Sequence, residues 1–321
     1  MSHRFCVAPM MDRTDRHERY FLRTLSKEML LYTEMIHANA VIHGNKDNLL
    51  KYHASEHPLA IQLGGSNADD LLEASLIAEG KGFDEINLNV GCPSPRVQSG
   101  SFGAVLMKQP YLVRDCLKLL VENTNIPVTV KCRIGVDEMD EDKDLDNFVT
   151  TVKDSGCKTF IIHARKAWLK GLSPKDNREI PPLNYERVYR LKDSFPDLEI
   201  IINGGIETTN DALEHLKFVD GVMVGRSAYD NPYPLVNIDK EIYSRSKLIP
   251  TRAEVLEGLV PYMENEIKNG NKLGHLTKHL MGLFKNTKHA KKARYTLANI
   301  DDDIYPMEKL KLLINETKEL C

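Results

Sequence analysis

The sequence predicts a (β/α)8 TIM barrel followed by a C-terminal all-helical domain. The first observation is a regular alternation, up to Arg226, of short apolar segments spaced like strands with amphipathic segments spaced like helices. The second is that eight strand-like segments occur in this region, the number that closes a barrel. The third is that no strand–turn–helix junction carries G-x-G-x-x-G, which disfavours the structural alternative, a doubly wound sheet.

The predicted strands are short runs rich in branched apolar residues. They cover residues 5–9, 29–34, 59–63, 85–90, 127–133, 159–165, 199–203 and 221–226. Helices are predicted between them at 16–26, 68–79, 111–122, 145–153, 185–193 and 210–217. In the fourth strand, Ile86, Leu88 and Val90 alternate with polar residues, which is the period of two expected of a strand.

The pattern changes after residues 229–234, where strand-like segments stop. Helical segments such as 252–268 and 273–285 follow. The polar stretch between Pro234 and Pro250 has the composition of a linker. We therefore predict a catalytic barrel over residues 1–238 and a separate helical domain over residues 239–321.

Composition indicates a soluble globular protein. The chain has 321 residues, of which 42% are hydrophobic and 28% charged. The N-terminal residues resemble neither a signal peptide nor a membrane span, so we expect a cytoplasmic protein that does not enter a membrane. The cysteines form no C-x-x-C pair, and His275 and His279 have no nearby cysteine or carboxylate, so no metal site is predicted.

Positive charge is concentrated in one part of the chain. The net charge is −3, yet residues 267–300 contain eight Lys or Arg and no Asp or Glu. A basic surface on an otherwise acidic protein favours contact with a polyanion at that surface. The alternative is a solvated helix face without a ligand.

Polar and glycine residues follow the predicted strands, and in a barrel these positions share one rim. They are Pro9, Met10, Met11, Glu34, Gln62, Asn89, Cys92, Lys131, His163, Arg165, Asn203, Gly204, Gly205, Gly225 and Arg226. The glycine segments after the last two strands, with one arginine, are typical of a phosphate site. The amides and the lysine, without a carboxylate pair, suit a planar hydrogen-bonding cofactor better than hydrolysis.

Cys92 stands in a turn that follows the fourth strand. Gly91, Pro93 and Pro95 prevent the strand from continuing, which predicts a rigid loop that carries a thiol. A single cysteine in a turn is also compatible with a packing role.

Seven ordered motifs resemble the tRNA-dihydrouridine synthase family and cover essentially the whole barrel. They are APMMD at 8–12, QL at 62–63, NLNVGCP at 87–93, VKCRIG at 130–135, HAR at 163–165, NGGI at 203–206 and VGR at 224–226. Residues 163–169 and 171–183 are more narrowly similar to the A-type bacterial subfamily.

The resemblance implies FMN as cofactor, NADPH as reductant and a D-loop uridine of tRNA, at position 20 or 20a, as substrate. The implied FMN ligands are Pro9, Met10, Met11, Gln62, Lys131, His163, Asn203, Gly204, Gly205, Gly225 and Arg226. The implied tRNA contacts are Lys175, Arg178, Lys291 and Arg294.

Reduction of the uracil C5=C6 bond needs a hydride at C6 and a proton at C5. A protonated Cys92 would supply that proton as a general acid, while Asn89 would orient the uracil. Lys131 would stabilise the anionic form of the reduced flavin ring.

Two rival functions remain open at this point. One is an FMN-dependent barrel dehydrogenase acting on a small pyrimidine-like metabolite, which has no need of a basic helical domain. The other is an RNA-binding protein without enzyme activity, which has no need of a phosphate site beside Cys92. We expect a monomer, and we interpret the acidic residues 137–142 as a solvated loop and helix N-terminus without a metal.

Overall fold

The fold is described from a computed structural model of the chain. The structure describes residues 2–246 and 248–318, so Cys321, the last cysteine of the sequence, lies outside the described residues.

Eight parallel strands form a closed barrel in which each strand pairs with its neighbours in the chain and β8 pairs with β1. The strands are β1 Phe5–Val7, β2 Leu30–His37, β3 Leu59–Gly64, β4 Glu85–Asn89, β5 Val128–Arg133, β6 Thr159–His163, β7 Glu199–Asn203 and β8 Gly221–Val224. The predicted barrel is confirmed. β1 and β8 end earlier than predicted, because Pro9 lacks a ladder donor and Gly225 already caps the next helix.

The helices that the sequence predicted around the barrel are present within two residues of their predicted ends, with additional short ones. They are α1 Arg16–Leu25, α2 Ala38–His43, α3 Lys46–Leu49, α4 Ala68–Gly80, α5 Pro95–Ser99, α6 Pro110–Asn123, α7 Lys143–Lys153, α8 Tyr185–Ser194, α9 Thr209–His215, α10 Arg226–Asp230 and α11 Ile238–Glu241. Beyond the barrel follow α12 Arg252–Lys268, α13 Gly274–Thr277, α14 Ala290–Ala298 and α15 Pro306–Lys318. Every helix in the described part of the chain is too short or too polar to cross a membrane.

The long helix predicted at 273–285 is wrong. The chain there forms α13, a 3-10 turn at Lys278–Leu280 and further turns. Gly282 packs against the end of the barrel so closely that a Cβ would lie 2.7 Å from the carbonyl oxygen of Tyr229. Docking onto the barrel therefore overrides the local helical preference.

Strand β4 illustrates how the barrel separates its two faces. Ile86, Leu88 and Val90 point outward and belong to the apolar core beneath the helices. Glu85 and Asn87, on the opposite face of the strand, are buried polar residues inside the barrel. The barrel interior also contains an apolar cluster, formed by Cys6, Ala8, Leu30, Tyr32, Ala60, Ile161, Ile201 and Met223.

The C-terminal helices pack against α1 of the barrel. Tyr262 of α12 stacks on Tyr20 with ring centroids 3.7 Å apart, and Arg16 pairs with Glu266 at 2.5 Å. His279 Nε2 donates a 2.9 Å hydrogen bond to Oδ2 of Asp15, the residue that caps α1. These contacts fix the helical region beside the N-terminal part of the barrel.

Candidate active site

The carboxyl ends of the strands bring the predicted ligands together at one mouth of the barrel. Strand register places Asn89 beside Lys131, Arg133 beside His163, and His163 beside Asn203. Gln62 lies one strand away from this group, next to Asn87. The parallel closed sheet thus converts residues scattered over the sequence into one polar surface.

The loop of Cys92 is held by several hydrogen bonds. Asn89 Oδ1 accepts from the backbone N–H groups of Gly91 at 3.2 Å and Cys92 at 3.0 Å, and the Cys92 carbonyl accepts from Ala104 at 2.9 Å. A short helix that the sequence analysis missed, α5, begins at Pro95, where proline is favoured as the first helical residue. Among the described cysteines, Cys92 is the one that is not fully buried.

Arg133 is a residue of this site that the sequence analysis did not single out. Its guanidinium donates to the carbonyls of Gly91 at 2.9 Å, Lys166 at 3.2 Å and Asn177 at 3.1 Å. Burial, with a smaller contribution from the positive charge of Arg178, lowers its pKa to about 10. It ties the Cys92 loop to the loop after β6. The sequence did contain a sign of this role, because Arg133 follows Thr129 and Lys131 at every second position of β5 and so faces the barrel interior with them.

Lys131 carries a buried positive charge at the centre of the mouth. Its Nζ donates to Asn203 Oδ1 at 2.9 Å, and Asn203 Nδ2 donates to the Met223 carbonyl at 2.8 Å. Burial and the neighbouring Arg133 lower the pKa of Lys131 to about 8. No acidic side chain in the described ranges pairs with Lys131, so this ammonium group is suited to an anionic ligand.

His163 is a neutral imidazole. Burial, followed by the charges of Arg133 and Lys131, holds its pKa well below the usual value for histidine. His163 can therefore offer a ligand only neutral hydrogen-bonding groups, and the positive charge of the mouth comes from lysine and arginine.

The segment after β7 requires glycine at two positions. Gly204 and Gly205 have φ values of 116° and 68°, and a Cβ on Gly204 would lie 2.7 Å from His163 Cδ2. A Cβ on Gly205 would lie 2.5 Å from Leu183 Cδ1. Within residues 2–246 and 248–318, the N–H groups of Gly205 and Gly225 have no hydrogen-bond partner. These unpaired donors suit an anion such as a phosphate.

Arg226, expected as a phosphate ligand, already forms an ion pair within the protein. Its Nη1 lies 2.7 Å from Glu179 Oε1, and both side chains are partly exposed at the rim. A phosphate at the glycine segments would therefore share this guanidinium with Glu179.

The turn after β1 stands above the mouth. Met10 N–H donates to Thr14 Oγ1 at 3.0 Å, and Thr14 N–H returns a bond of 2.9 Å to the Met10 carbonyl. Pro9 and Met10 are half-buried, whereas Met11 is exposed. The turn can therefore present backbone and thioether groups to a ligand.

The predicted RNA contacts lie on exposed elements. Lys175 precedes a 3-10 turn at Asp176–Arg178, and the charge of Arg178 acts on His163 and Arg133 at the mouth. Lys291 and Arg294 are exposed on α14 without an acidic partner among the described residues. By contrast, Lys292 pairs with Glu316 at 2.8 Å and Lys278 with Asp15 at 3.0 Å.

Two residues of the acidic loop 137–142 form ion pairs with basic side chains. Asp137 pairs with Lys108 at 2.5 Å, and Asp142 lies 3.1 Å from Arg187 and 2.7 Å from Arg190. In the part of the chain that the structure describes, no group of three or more possible ligands is arranged to hold a metal ion.

The family model for dihydrouridine synthase (Dus) matches residues 6–318. A Synechocystis sp. protein named tRNA-dihydrouridine(20/20a) synthase is 54% identical over 91% of this chain and 88% of its own length. Proteins of the same name from Vibrio vulnificus and Escherichia coli are each 53% identical, over 91% and 92% of this chain and 89% and 86% of their own lengths. A solved complex of a 2-naphthoyl-CoA reductase with 2-naphthoyl-CoA has a TM-score of 0.59 at 9% identity, covering 74% of this chain and 50% of that one, and supports the fold alone.

The family match extends over the barrel, the Cys92 loop and the C-terminal helices. It confirms the resemblance noted in the sequence and excludes the alternative hypothesis that the chain is an RNA-binding protein without enzyme activity. The chain belongs to the dihydrouridine synthase family.

Proposed function

We propose that this chain reduces the C5=C6 bond of uridines 20 and 20a in the D-loop of tRNA, with FMN as cofactor and NADPH as reductant. The position of Cys92 carries the proposal: it is a partly accessible thiol held rigidly beside a cationic, amide-rich mouth. The names of relatives that are more than half identical to the chain support the substrate positions.

The residues at the mouth fit FMN. The free N–H groups of Gly205 and Gly225, with Arg226 nearby, would hold the phosphate, while Lys131 and Asn203 would meet the ring system. Gln62, neutral His163 and the turn of Pro9, Met10 and Met11 would complete the contacts. Bound there, FMN would supply the hydride for the uracil, having received it from NADPH.

The side chains around the cofactor would complete the reduction. Cys92 Sγ would give its proton to C5 as negative charge develops there, and the thiolate would afterwards take a proton from water. Lys131 would stabilise negative charge in its low-dielectric surroundings. Asn89 lies at the same strand end and would orient the uracil.

The substrate base must leave its stack to reach this mouth, at a cost of roughly a few kcal/mol. We propose that Lys291 and Arg294 of the helical domain, residues 239–321, hold tRNA by its phosphates while the barrel, residues 1–238, performs the chemistry. Lys175 and Arg178 would hold the RNA near the mouth. We further propose that the protein acts as a monomer in the cytoplasm.

The test uses purified protein, NADPH and an unmodified tRNA transcript, with dihydrouridine mapped by mass spectrometry. We expect dihydrouridine at positions 20 and 20a and release of FMN on denaturation. A transcript with cytidine at both positions serves as the control and should gain no dihydrouridine. Product only at other positions, or none with flavin present, would refute the proposed specificity or activity.

A further inference from the structure

A continuous row of side-chain hydrogen bonds crosses the barrel interior from its floor to the Cys92 loop. Asn89 Nδ2 donates to Gln62 Oε1 at 2.8 Å, and Gln62 Nε2 donates to Asn87 Oδ1 at 2.7 Å. Asn87 Nδ2 donates to Thr129 Oγ1 at 2.8 Å, and Thr129 Oγ1 donates to Glu85 Oε1 at 2.7 Å. Four of these five side chains are at most 1% exposed, and Asn89 is 8% exposed. Water therefore does not complete their hydrogen bonding.

The floor of the barrel ends the row with an acceptor. Glu85 also accepts from the Tyr32 hydroxyl at 2.7 Å and lies 2.5 Å from His3 Nε2. His3 Nδ1 lies 2.9 Å from Glu199 Oε2, so each nitrogen of the imidazole ring faces a carboxylate oxygen. Glu85 thus accepts from the hydroxyls of Tyr32 and Thr129 and faces His3 with its other oxygen, so it ends the row as an acceptor.

The mouth ends the row with donors. Asn89 Oδ1 faces the backbone N–H groups of Gly91 and Cys92, and a backbone N–H donates and never accepts. The two ends of the row are therefore fixed by groups that cannot exchange their roles.

Only one arrangement of the three amides satisfies both ends. Thr129 has a single hydroxyl hydrogen, which it gives to Glu85, so its oxygen must accept from the NH2 group of Asn87. The oxygen of Asn87 then faces Gln62, which must present its NH2 group, and the oxygen of Gln62 must accept from Asn89. Reversal of any one amide would bring two donors or two acceptors together in a buried site, where unsatisfied groups are costly.

We infer that Glu85 and Thr129, on the barrel floor and wall, are positioning residues that fix the amide orientations of Gln62 and Asn89 and thereby the geometry of the Cys92 loop. Neither side chain reaches the mouth itself. They act through the row, so the orientation of a cofactor-binding amide is set by a carboxylate at the opposite end of the barrel. The part of this inference that concerns cofactor affinity rests on the proposed function, whereas the part that concerns the Cys92 loop does not.

The first test replaces Thr129 with valine, which keeps the shape and removes the hydroxyl. Dissociation constants for FMN are measured by flavin fluorescence, and the alkylation rate of Cys92 is measured by peptide mass spectrometry on flavin-free protein. We expect the FMN dissociation constant of Thr129→Val to rise about tenfold, the effect of one lost or misdirected hydrogen bond. The alkylation rate should rise several-fold, because Asn89 no longer holds the loop.

Two matched variants separate positioning from general destabilisation. Tyr32→Phe removes a different donor to the same carboxylate and leaves the row intact, so both readouts should stay within about twofold of the parent. Thr129→Ser restores the hydroxyl and should return both readouts to the parent values. Equal changes in Thr129→Val and Tyr32→Phe would overturn the inference.

Glu85→Gln provides a second test if the valine variant does not fold. The oxygen of the new amide would face His3, so the NH2 group of that amide would face Thr129. The Thr129 hydroxyl would then accept from this NH2 group and donate to Asn87. Every amide of the row would have to reverse its orientation. The same weaker FMN binding and faster Cys92 alkylation are expected, and parent-like values would overturn the inference. If the parent itself binds no FMN, the proposed function fails, while the alkylation rates still decide the positioning role.

Discussion

Buried charges at the two ends of the barrel are stabilised in different ways. At the mouth, Arg133 has three backbone carbonyls as partners, and its positive charge remains available to an anionic ligand. At the floor, His3 is paired with the carboxylates of Glu85 and Glu199. We therefore propose that charge at the mouth serves ligand binding, whereas charge at the floor serves stability.

The stability contributed by His3 should depend on pH. Burial alone would lower its pKa, but hydrogen bonds to Glu199 and Glu85 outweigh this and raise the pKa to about 10. Because the folded-state pKa lies above the unfolded value of about 6.5, the contribution is complete below that pH and is lost as the pH rises towards 10.

Urea unfolding of the parent and His3→Gln between pH 6 and pH 10 measures this contribution. We expect the variant to be less stable by on the order of a few kcal/mol at pH 6, with the difference shrinking steadily above pH 7. A difference that is the same at both ends of this range would mean that His3 stabilises the fold by packing alone.

Among the elements, those governed by local patterns were predictable from the sequence. β7 and α12 have the predicted limits, since β7 is a run of apolar residues and α12 has an N-terminal Thr251 with Glu254 in a capping box. The break after α13 was not predictable, because it arises from the close approach of Gly282 to the carbonyl of Tyr229. Tertiary contacts of this kind leave no periodic signal in the sequence.

The loop after β7 depends on glycine for space as well as for conformation. Alanine at Gly205 would bring its Cβ against Leu183 and the hydroxyl of Tyr185, at 2.5 Å and 2.6 Å. Gly171 is a matched control, because its φ of 82° is also positive while nothing lies within 4 Å of a Cβ there.

Both alanine variants should lose about 1 kcal/mol of stability from the left-handed backbone conformation. Gly205→Ala should in addition weaken FMN binding by about tenfold or more, whereas Gly171→Ala should bind FMN like the parent. Flavin fluorescence titration measures both. Equal affinities in the two variants would place the phosphate elsewhere.

At the scale of the whole molecule, folding redistributes the charge pattern of the sequence. The acid-free segment 267–300 acquires acidic partners from distant parts of the chain, since Asp15 pairs with Lys278 and Glu316 with Lys292. The site could be predicted only in part from the sequence. Strand-end residues such as Lys131 could be recognised from their position. The pairing of Arg226 with Glu179 could not, because it joins two loops that only the folded barrel brings together.

Lys291→Ala combined with Arg294→Ala should weaken tRNA binding without affecting the flavin site. If both side chains contact phosphates, the slope of log affinity against log salt should flatten by about two units. Binding is measured by fluorescence anisotropy at several salt concentrations.

The control for this variant is Lys278→Ala combined with Lys292→Ala, which removes the same charge from side chains that are already ion-paired. Its salt slope should change less. Equal slopes for both double variants would indicate a diffuse effect of net charge, and unchanged binding in Lys291→Ala/Arg294→Ala would direct attention to Lys175 and Arg178.

Stopped-flow measurement of the two half-reactions in Cys92→Ala tests whether the Cys92 thiol protonates the uracil. Flavin reduction by NADPH should proceed at the parent rate with full flavin content, because the thiol takes no part in it. Flavin reoxidation by tRNA should slow by about 100-fold or more, as expected on loss of a general acid. Parent-like reoxidation by tRNA would mean that Cys92 is not the proton donor, and loss of flavin would assign Cys92 to packing.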